Sequence, residues 1–281
     1  MHRAGSIGTR ERARNDQHAL DPTSSSSQAH TGCLNCGLFA WCQSGQLAAR
    51  DAARFNKHIT HHRPVKRGAY LHHADGPLES LHVIHSGFLK TTTGNESGLE
   101  QVTGFLMPGD PVGMDGIDSG KHQFDTVAIE DSSVCSISFG LLEQLCGEFP
   151  GLQRDFLRLL STEINRNHGL MLLLGVMHAE ERLIVFLLNL SARFAARGYS
   201  ATQFRLPMRH QDIGSHLGLS METISRLLTK LSNDEAIALD HKYLWIKTVE
   251  GLKQRLGDYK KRRSTTRTAD SQSSAIISRM R

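Results

Sequence analysis

The chain has 281 residues, of which 39% are hydrophobic and 22% are charged, and its formal net charge is +5. It has no run of about 18 apolar residues, and its first residues, Met1–Ser6, lack the apolar core of a signal peptide. This argues against an integral membrane protein and against secretion. We therefore expect a cytoplasmic protein with two modest domains and polar tails.

The positive charge is concentrated at the C-terminal end. From Lys253 onward nine Lys or Arg residues stand against two Asp, which leaves 24 basic and 26 acidic residues in the rest of the chain. The net charge therefore does not indicate that the folded part binds DNA, and only a motif can do so. We expect residues 253–281 to form a basic, disordered tail and the Ser-rich residues 1–30 to be disordered as well.

Four cysteines can be ligands of one metal centre. Cys33, Cys36 and Cys42 lie within ten residues, and Cys135 lies far along the chain. Four thiolates can hold a tetrahedral metal ion or an iron–sulfur cluster. In a reducing compartment such a group favours metal binding over disulfides.

The residues alone leave the role of Cys135 open. It alternates with Ile137 and Phe139 in a strand-like segment, which favours a buried core thiol. The fifth cysteine, Cys146, follows a short helix-like run from Leu141, and we interpret it as a small buried apolar residue.

Residues 66–139 consist of short alternating segments separated by glycines. Leu81–Lys90 and Thr126–Ile129 are predicted strands. Glycines recur about every ten residues from Gly68 to Gly120. This spacing is typical of a compact antiparallel barrel or roll.

Leu152–Leu174 predicts a long helix without proline, with apolar residues at steps of three and four. Asn167 stands where a coiled seam would have another apolar residue, and a single polar residue there often sets register or weakens association. A helix buried within its own domain is the alternative. The seam residues are Leu152, Phe156, Leu160, Ile164, Asn167 and Met171.

A second helix is predicted from about His178. Glu180 and Glu181 in its first turn suit the helix dipole, and the helix is expected to stop at Arg197–Gly198, where the glycine serves as the C-cap.

Residues 211–228 have the pattern of a helix-turn-helix. Ile213 and Leu217 face inward from the first helix, Gly218 permits the turn, and Ser220 caps the second helix. The packing face of this second helix consists of Ile224, Leu227, Leu228 and Leu231.

The opposite face of the second helix has Glu222, Ser225 and Arg226 near its N-terminus, where recognition helices meet base edges. Arg226 can bind guanine, Glu222 can accept from a cytosine amino group, and Ser225 can contact base or phosphate. An ordinary amphipathic helical hairpin is the alternative. Residues 236–246 are expected to add a small β-hairpin wing.

Together and in this order, these motifs resemble the fumarate and nitrate reduction regulator (FNR) type of the CRP/FNR transcription-factor superfamily. The resemblance covers nearly all of residues 33–256. The matching segments are Cys33-x2-Cys36-x5-Cys42, Gln101–Phe105, Ala179–Leu183, Phe204–Leu206 and Glu222–Leu228.

The resemblance implies an α+β fold: a double-stranded β-roll of the cyclic-nucleotide-binding kind, a long dimerisation helix and a C-terminal winged helix-turn-helix. The cluster loop and roll would occupy residues 31–150, the helix 151–176 and the DNA-binding domain 177–252. It also implies that the four cysteines hold an oxygen-labile [4Fe–4S] cluster, which oxygen converts toward [2Fe–2S] with loss of the dimer.

For the output, the resemblance implies a homodimer that binds double-stranded DNA, with Glu222, Ser225 and Arg226 reading half-sites of a TTGAT-type inverted repeat. Loops of the roll would contact RNA polymerase to activate transcription.

Two positions depart from the family pattern. Asn167 stands where the best-known member has an aspartate, and removal of that charge predicts a dimer that forms more easily. Gly37 and Trp41 border cluster ligands and control solvent access, so the oxygen sensitivity of the family is not transferable to this chain.

Three other functions have weaker support. A cyclic-nucleotide site needs an arginine for the phosphate, and residues 109–125 contain none, so no cyclic nucleotide is expected. A structural zinc site on the same cysteines, in a redox-insensitive factor, stays open as the alternative. An enzyme is not expected, because no phosphate loop, nucleophile elbow or HExxH motif occurs.

Overall fold

The computed structural model describes residues 59–94 and 100–257. Eight strands form two four-stranded antiparallel sheets, in the orders β1-β8-β3-β6 and β2-β7-β4-β5. Side chains from all eight strands meet in one apolar cluster between the sheets, which confirms the predicted roll. The strands are β1 (Thr60–Val65), β2 (Tyr70–His72), β3 (Ser80–Ser86), β4 (Leu89–Gly94), β5 (Glu100–Leu106), β6 (Pro111–Val112), β7 (Asp125–Ala128) and β8 (Ser132–Ser138).

The prediction of one strand over Leu81–Lys90 is wrong, because this run contains parts of β3 and β4, which lie in different sheets. The break is at Gly87, whose φ of 84° lies in the left-handed region. A Cβ at Gly87 would lie 2.2 Å from Ser132 Oγ. Both the backbone conformation and the close approach of β8 therefore require glycine.

Three helices follow the roll: α1 (Phe139–Glu148), α2 (Pro150–Val176) and α3 (Ala179–Ala195). Pro150 opens α2, where its missing N–H has no intrahelical partner to lose. The predicted start of α3 is confirmed, because the His178 amide donates to Glu181 Oε2 at 2.8 Å. The chain leaves α3 through Gly198, whose φ is 80°.

The C-terminal part is a winged helix-turn-helix. It consists of β9 (Gln203–Arg205), α4 (His210–Leu217), α5 (Met221–Asn233), β10 (Ile237–Asp240) and β11 (Tyr243–Ile246). The strand order is β10-β11-β9, so the predicted hairpin has a third strand. Residues 249–257 are helical. Within the described ranges, no helix is long and apolar enough to cross a membrane.

The roll and the helix-turn-helix share a core. One cluster combines Phe88, Val102, Phe105 and Met107 of the roll with buried side chains of α3, α4, α5 and the wing. The first helix of the motif, α4, lies against β5. The second helix, α5, is thereby left with one face toward solvent.

Candidate functional site

The predicted recognition surface is the exposed face of α5. Glu222, Ser225 and Arg226 are all exposed there, while Ile224 and Leu231 on the other face are buried. Ser220 Oγ accepts from the Thr223 amide at 3.2 Å, which confirms the predicted N-cap. Gly218 has a φ of 62°, as the tight turn requires.

Glu222 and Arg226 supply opposite charges on this surface. A hydrogen bond from its own backbone N–H, and then one from the Ser220 hydroxyl, lower the pKa of Glu222. The carboxylate is therefore ionised at neutral pH and can only accept hydrogen bonds. Arg226 and Glu222 together offer a donor fork and an acceptor side by side, a pair that suits the edges of a G·C-containing step.

Arg182 fixes the start of the helix-turn-helix relative to the long helix. Its guanidinium donates to the carbonyls of Leu174 at 2.8 Å, Met177 at 2.9 Å and Leu217 at 3.0 Å. These carbonyls belong to the end of α2, the connection after it and the end of α4. Arg182 lies in the matching segment Ala179–Leu183, but nothing in the sequence near it indicates this role.

A second contact holds α4 against the roll. Lys90 Nζ of β4 lies 2.9 Å from Asp212 Oδ1 and 2.7 Å from Glu100 Oε1. Burial lowers the pKa of Lys90, but the hydrogen bonds to Glu100 and Asp212 outweigh it and raise the pKa above the usual value. Ser215 Oγ accepts from the Val102 amide at 2.8 Å.

Asp110 is the centre of a third contact. This carboxylate, 1% exposed, lies 2.6 Å from Arg197, which follows α3, and 3.5 Å from Arg166 of α2, and it also binds Arg193 of α3. Burial lowers the pKa of Arg193, and the charge of Asp110 opposes that shift. One acidic residue of the roll thus joins both long helices.

The predicted seam on α2 is divided between the inside and the surface. Leu152 is buried with α1 and Cys135, and Phe156 packs against the same cluster, so both belong to the core of this chain. Leu160 is half-buried, whereas Ile164 (55%), Asn167 and Met171 (69%) are exposed. Of these predicted seam residues, those after Leu160 are open to a second copy.

Sequence reasoning missed Leu157, which is 58% exposed. Leu157, Ile164 and Met171 are spaced seven residues apart. Each is followed three residues later by another seam residue: Leu160, Asn167 and Leu174. This is the a/d spacing of a coiled-coil seam. The seven-residue repeat of Leu157, Ile164 and Met171 is the signal that indicates it, whereas the predicted seam begins with Leu152 and Phe156, which belong to the buried face.

Of the four proposed cluster ligands, Cys135 alone lies in the described part, and Cys33, Cys36 and Cys42 lie outside it. Cys135, on β8, is 0% exposed and belongs to one apolar cluster with Ile59, the first described residue. The described part of the chain therefore begins beside Cys135.

Cys146 on α1 is half-buried, whereas the sequence predicts a buried residue, so its burial is less complete than predicted. Burial, followed by the nearby charge of Glu143, raises the pKa of its thiol. A raised pKa keeps the thiol protonated, which disfavours metal binding.

A group of histidines that sequence reasoning left unassigned lies between the two sheets. The rings of His72 and His122 stack at 3.6 Å with an interplanar angle of 2°. His82 lies 6.5 Å from His72, centroid to centroid, and its Nδ1 is 2.7 Å from Ser136 Oγ. Burial, and then the neighbouring histidine, lower the pKa of His72 to about 4 and of His82 to about 3.

A cavity of about 1020 Å³ lies between the roll, α2 and α3. Its walls include Asp115 and Thr126 of the roll, Asn167 of α2 and Arg193 of α3. The seam and the interior of the roll thus border one space.

Two family models match the chain. The cyclic nucleotide-binding domain matches residues 62–149, and the Crp-like helix-turn-helix domain matches residues 181–255.

Curated proteins and solved structures agree with these matches. The chain is 40% identical over 220 residues to the transcriptional activator protein Anr of Pseudomonas protegens, which covers 78% of this chain and 89% of that protein. It is 41% identical over 225 residues to the fumarate and nitrate reduction regulatory protein of Escherichia coli, covering 80% and 90%. The structure of FixK2 from Bradyrhizobium japonicum matches with a TM-score of 0.64 at 27% identity, over 70% of this chain and 96% of that one.

Proposed function

The chain belongs to the fumarate and nitrate reduction regulator type of the CRP/FNR family, and on that premise we propose that it is an oxygen-responsive transcription regulator. Regulators of this family are not enzymes and bind DNA, typically as dimers. The oxygen response, the cluster and the DNA sequence are the parts that we propose here.

The proposed sensor is a [4Fe–4S] cluster held by Cys33, Cys36, Cys42 and Cys135. The position of Cys135 is the observation that carries this proposal, because this residue is 0% exposed and lies in one apolar cluster with Ile59, the first described residue. Sulfur is the donor that such clusters require, and apolar surroundings limit solvent access. When bound, the cluster would supply the group that oxygen attacks.

The proposed output is a homodimer on a TTGAT-type inverted repeat. The exposed side chains of Leu157, Ile164 and Met171 support a seam between two copies of α2. The exposed Glu222, Ser225 and Arg226 support base reading in the major groove. Contact of roll loops with RNA polymerase is proposed on the family resemblance.

The runner-up is a zinc ion on the same four cysteines in a redox-insensitive factor. The absence of arginine from residues 109–125 also supports a protein that does not respond to a cyclic nucleotide.

The decisive experiment is purification without oxygen, followed by iron and acid-labile sulfide analysis and by DNA-binding titrations before and after exposure to air. We expect four iron and four sulfide per chain and a loss of affinity for the inverted repeat in air. Cys135→Ser should remove the cluster, whereas the matched Cys146→Ser should keep it. Protein that contains no sulfide, or that binds DNA equally in air, would contradict the proposal.

A further inference from the structure

We propose that His72, Asp115 and His122 form a second metal site, which binds one divalent transition-metal ion of the zinc class inside the β-roll. One nitrogen of each histidine and one carboxylate oxygen of Asp115 lie within 4.8 Å of one another. Zinc bonds of about 2.0 Å at tetrahedral angles need donor atoms about 3.3 Å apart. Because the rings of His72 and His122 stack face to face, closing the site needs donor shifts of about 1 Å and a rotation of the rings that turns both lone pairs toward the ion.

The three ligands come from three separate segments of the roll. His72 lies on β2, Asp115 on the 3₁₀ turn Met114–Gly116, and His122 in the connection before β7. Backbone hydrogen bonds hold this connection in place, because the His122 amide donates to the Gly76 carbonyl at 2.9 Å and the Asp75 amide donates to the His122 carbonyl at 2.8 Å. The fold thus brings the ligands together without the ion.

The hydrogen bonding of His72 supports the site independently of the ligand distances. One ring nitrogen, Nε2, lies 2.9 Å from Thr126 Oγ1. The other, Nδ1, is buried and has no hydrogen-bond partner among the described residues. An unpaired buried nitrogen is costly, and a metal ion that accepts its lone pair removes that cost.

Asp115 is oriented as a ligand would be. One carboxylate oxygen accepts from the amides of Gln123 at 2.8 Å and Phe124 at 3.2 Å, and the other lies 3.5 Å from His122 Nδ1. Hydrogen bonds that fix one oxygen and leave the second for the ion are typical of ligating carboxylates. Two imidazoles and one carboxylate suit zinc, cobalt or nickel better than calcium or magnesium.

Three protein ligands leave a further coordination position. Asp115 and Thr126 both line the cavity beside α2 and α3. This gives water or a small ligand a route to the ion. The alternative is a pair of stacked imidazoles stabilised by packing alone.

The test uses the full, tag-free chain with Cys33, Cys36 and Cys42 replaced by Ser, so that a thiolate site cannot capture the metal. Co²⁺ and Zn²⁺ are added to the metal-free protein. We expect one equivalent of Co²⁺ to bind with the visible bands of nitrogen and oxygen ligation and without thiolate-to-cobalt absorption. Zn²⁺ should raise the melting temperature, because the assembled site binds it more tightly than the unfolded chain does.

Substitutions in the same background assign the ligands. His72→Gln, His122→Gln and Asp115→Asn should each weaken binding by at least about 100-fold, and Thr126→Val, which removes the partner of His72, by about 10-fold to 100-fold. His73→Gln is the matched control, since His73 is the neighbouring histidine, is exposed and pairs with Asp125.

Two results overturn the proposal. The first is that the chain with all its histidines binds neither ion at micromolar concentration. This result does not depend on any substitution in the site. The second is binding that persists in the ligand variants. Circular dichroism checks that the variants fold. If a histidine variant does not fold, metal binding by Asp115→Asn, which keeps an acceptor for the two amides, decides whether the site exists.

Discussion

The Asp110 carboxylate accepts a hydrogen bond from the Arg197 guanidinium at 2.6 Å across 87 residues of sequence, which ties the roll to the turn that follows helix α3. Asp110→Asn removes the carboxylate that pairs directly with Arg193 and Arg197 in a largely buried place. We expect the free energy of unfolding to fall by about 2–4 kcal/mol, because an unpaired buried charge costs more than the ion pair gains. Urea denaturation measures it.

Asp131→Asn is the control for this prediction. Asp131 also pairs with a basic residue, Lys66, but both side chains are exposed, so the unfolding free energy should change little. Equal losses of unfolding free energy in the two variants would show that the buried ion pair stabilises the fold no more than the exposed one.

Arg226→Ala tests base reading by α5. Loss of a bidentate contact to guanine should weaken binding to the inverted repeat by about 5- to 150-fold and relax preference at one base position. Titrations against a set of single-base variants of the site measure this. The matched control is Arg154→Ala, which removes an exposed arginine of α2. A uniform loss across all sequences would instead assign Arg226 to a phosphate.

Asn167→Asp tests the seam on α2. Two carboxylates facing each other at a two-fold axis repel, so the dimer should dissociate more easily, by about 1–3 kcal/mol or about 5- to 150-fold in the dissociation constant. Sedimentation of the anaerobic protein measures it. Asn165→Asp adds the same charge to an exposed residue off the seam and should have little effect. An unchanged dissociation constant for Asn167→Asp would rule out its place in the seam.

His216 predicts a pH dependence of stability. Burial lowers its pKa to about 4, although a hydrogen bond to the Val102 carbonyl opposes the shift. Above pH 6.5 neither state binds the proton. Between pH 6.5 and about 4 the unfolded chain binds it and the folded chain does not, so stability falls as the pH falls, by at most about 3 kcal/mol.

The measurement is the unfolding free energy of the wild type and of His216→Gln at several values between pH 4 and 7. His72 and His82 shift in the same direction but remain in both proteins, so the difference reports His216. We expect the variant to lose less stability on acidification. Parallel curves would contradict the assignment.

Gly87→Ala tests the close approach of β3 and β8. Gly68 also has a positive φ, 79°, but a Cβ there meets nothing within 4 Å. Both substitutions cost about 1 kcal/mol for the backbone conformation. Gly87→Ala should cost about 1–3 kcal/mol more, because its methyl group overlaps Ser132. Denaturation curves of the two variants give the difference.

Local chemistry made the DNA-reading segment predictable. The Ser220 cap, the Gly218 turn and the two faces of α5 depend on residues within a few positions of one another, and all three features are confirmed in the fold. Strand β9 was missed because three residues, Gln203–Arg205, are too few to show alternation.

Contacts between distant segments were not predictable. Nothing near Lys90 indicates that its partner is Asp212, 122 residues away. In the same way, His72 and His122 are ordinary scattered histidines in the sequence, and only the pairing of β2 with β7 brings them together. The division of the α2 face between core and seam also depends on where α1 packs, which periodicity does not encode.

The contacts of Arg182 have a consequence for how the protein tolerates substitution. All three of its acceptors, at Leu174, Met177 and Leu217, are main-chain carbonyls, which every amino acid supplies. Those positions can therefore change their side chains, within the limits of packing, without loss of the joint between α2 and the helix-turn-helix. The joint therefore depends on which side chain residue 182 has. A saturation library should accept apolar variety at the three acceptor positions and reject even lysine, which lacks the guanidinium fork, at position 182.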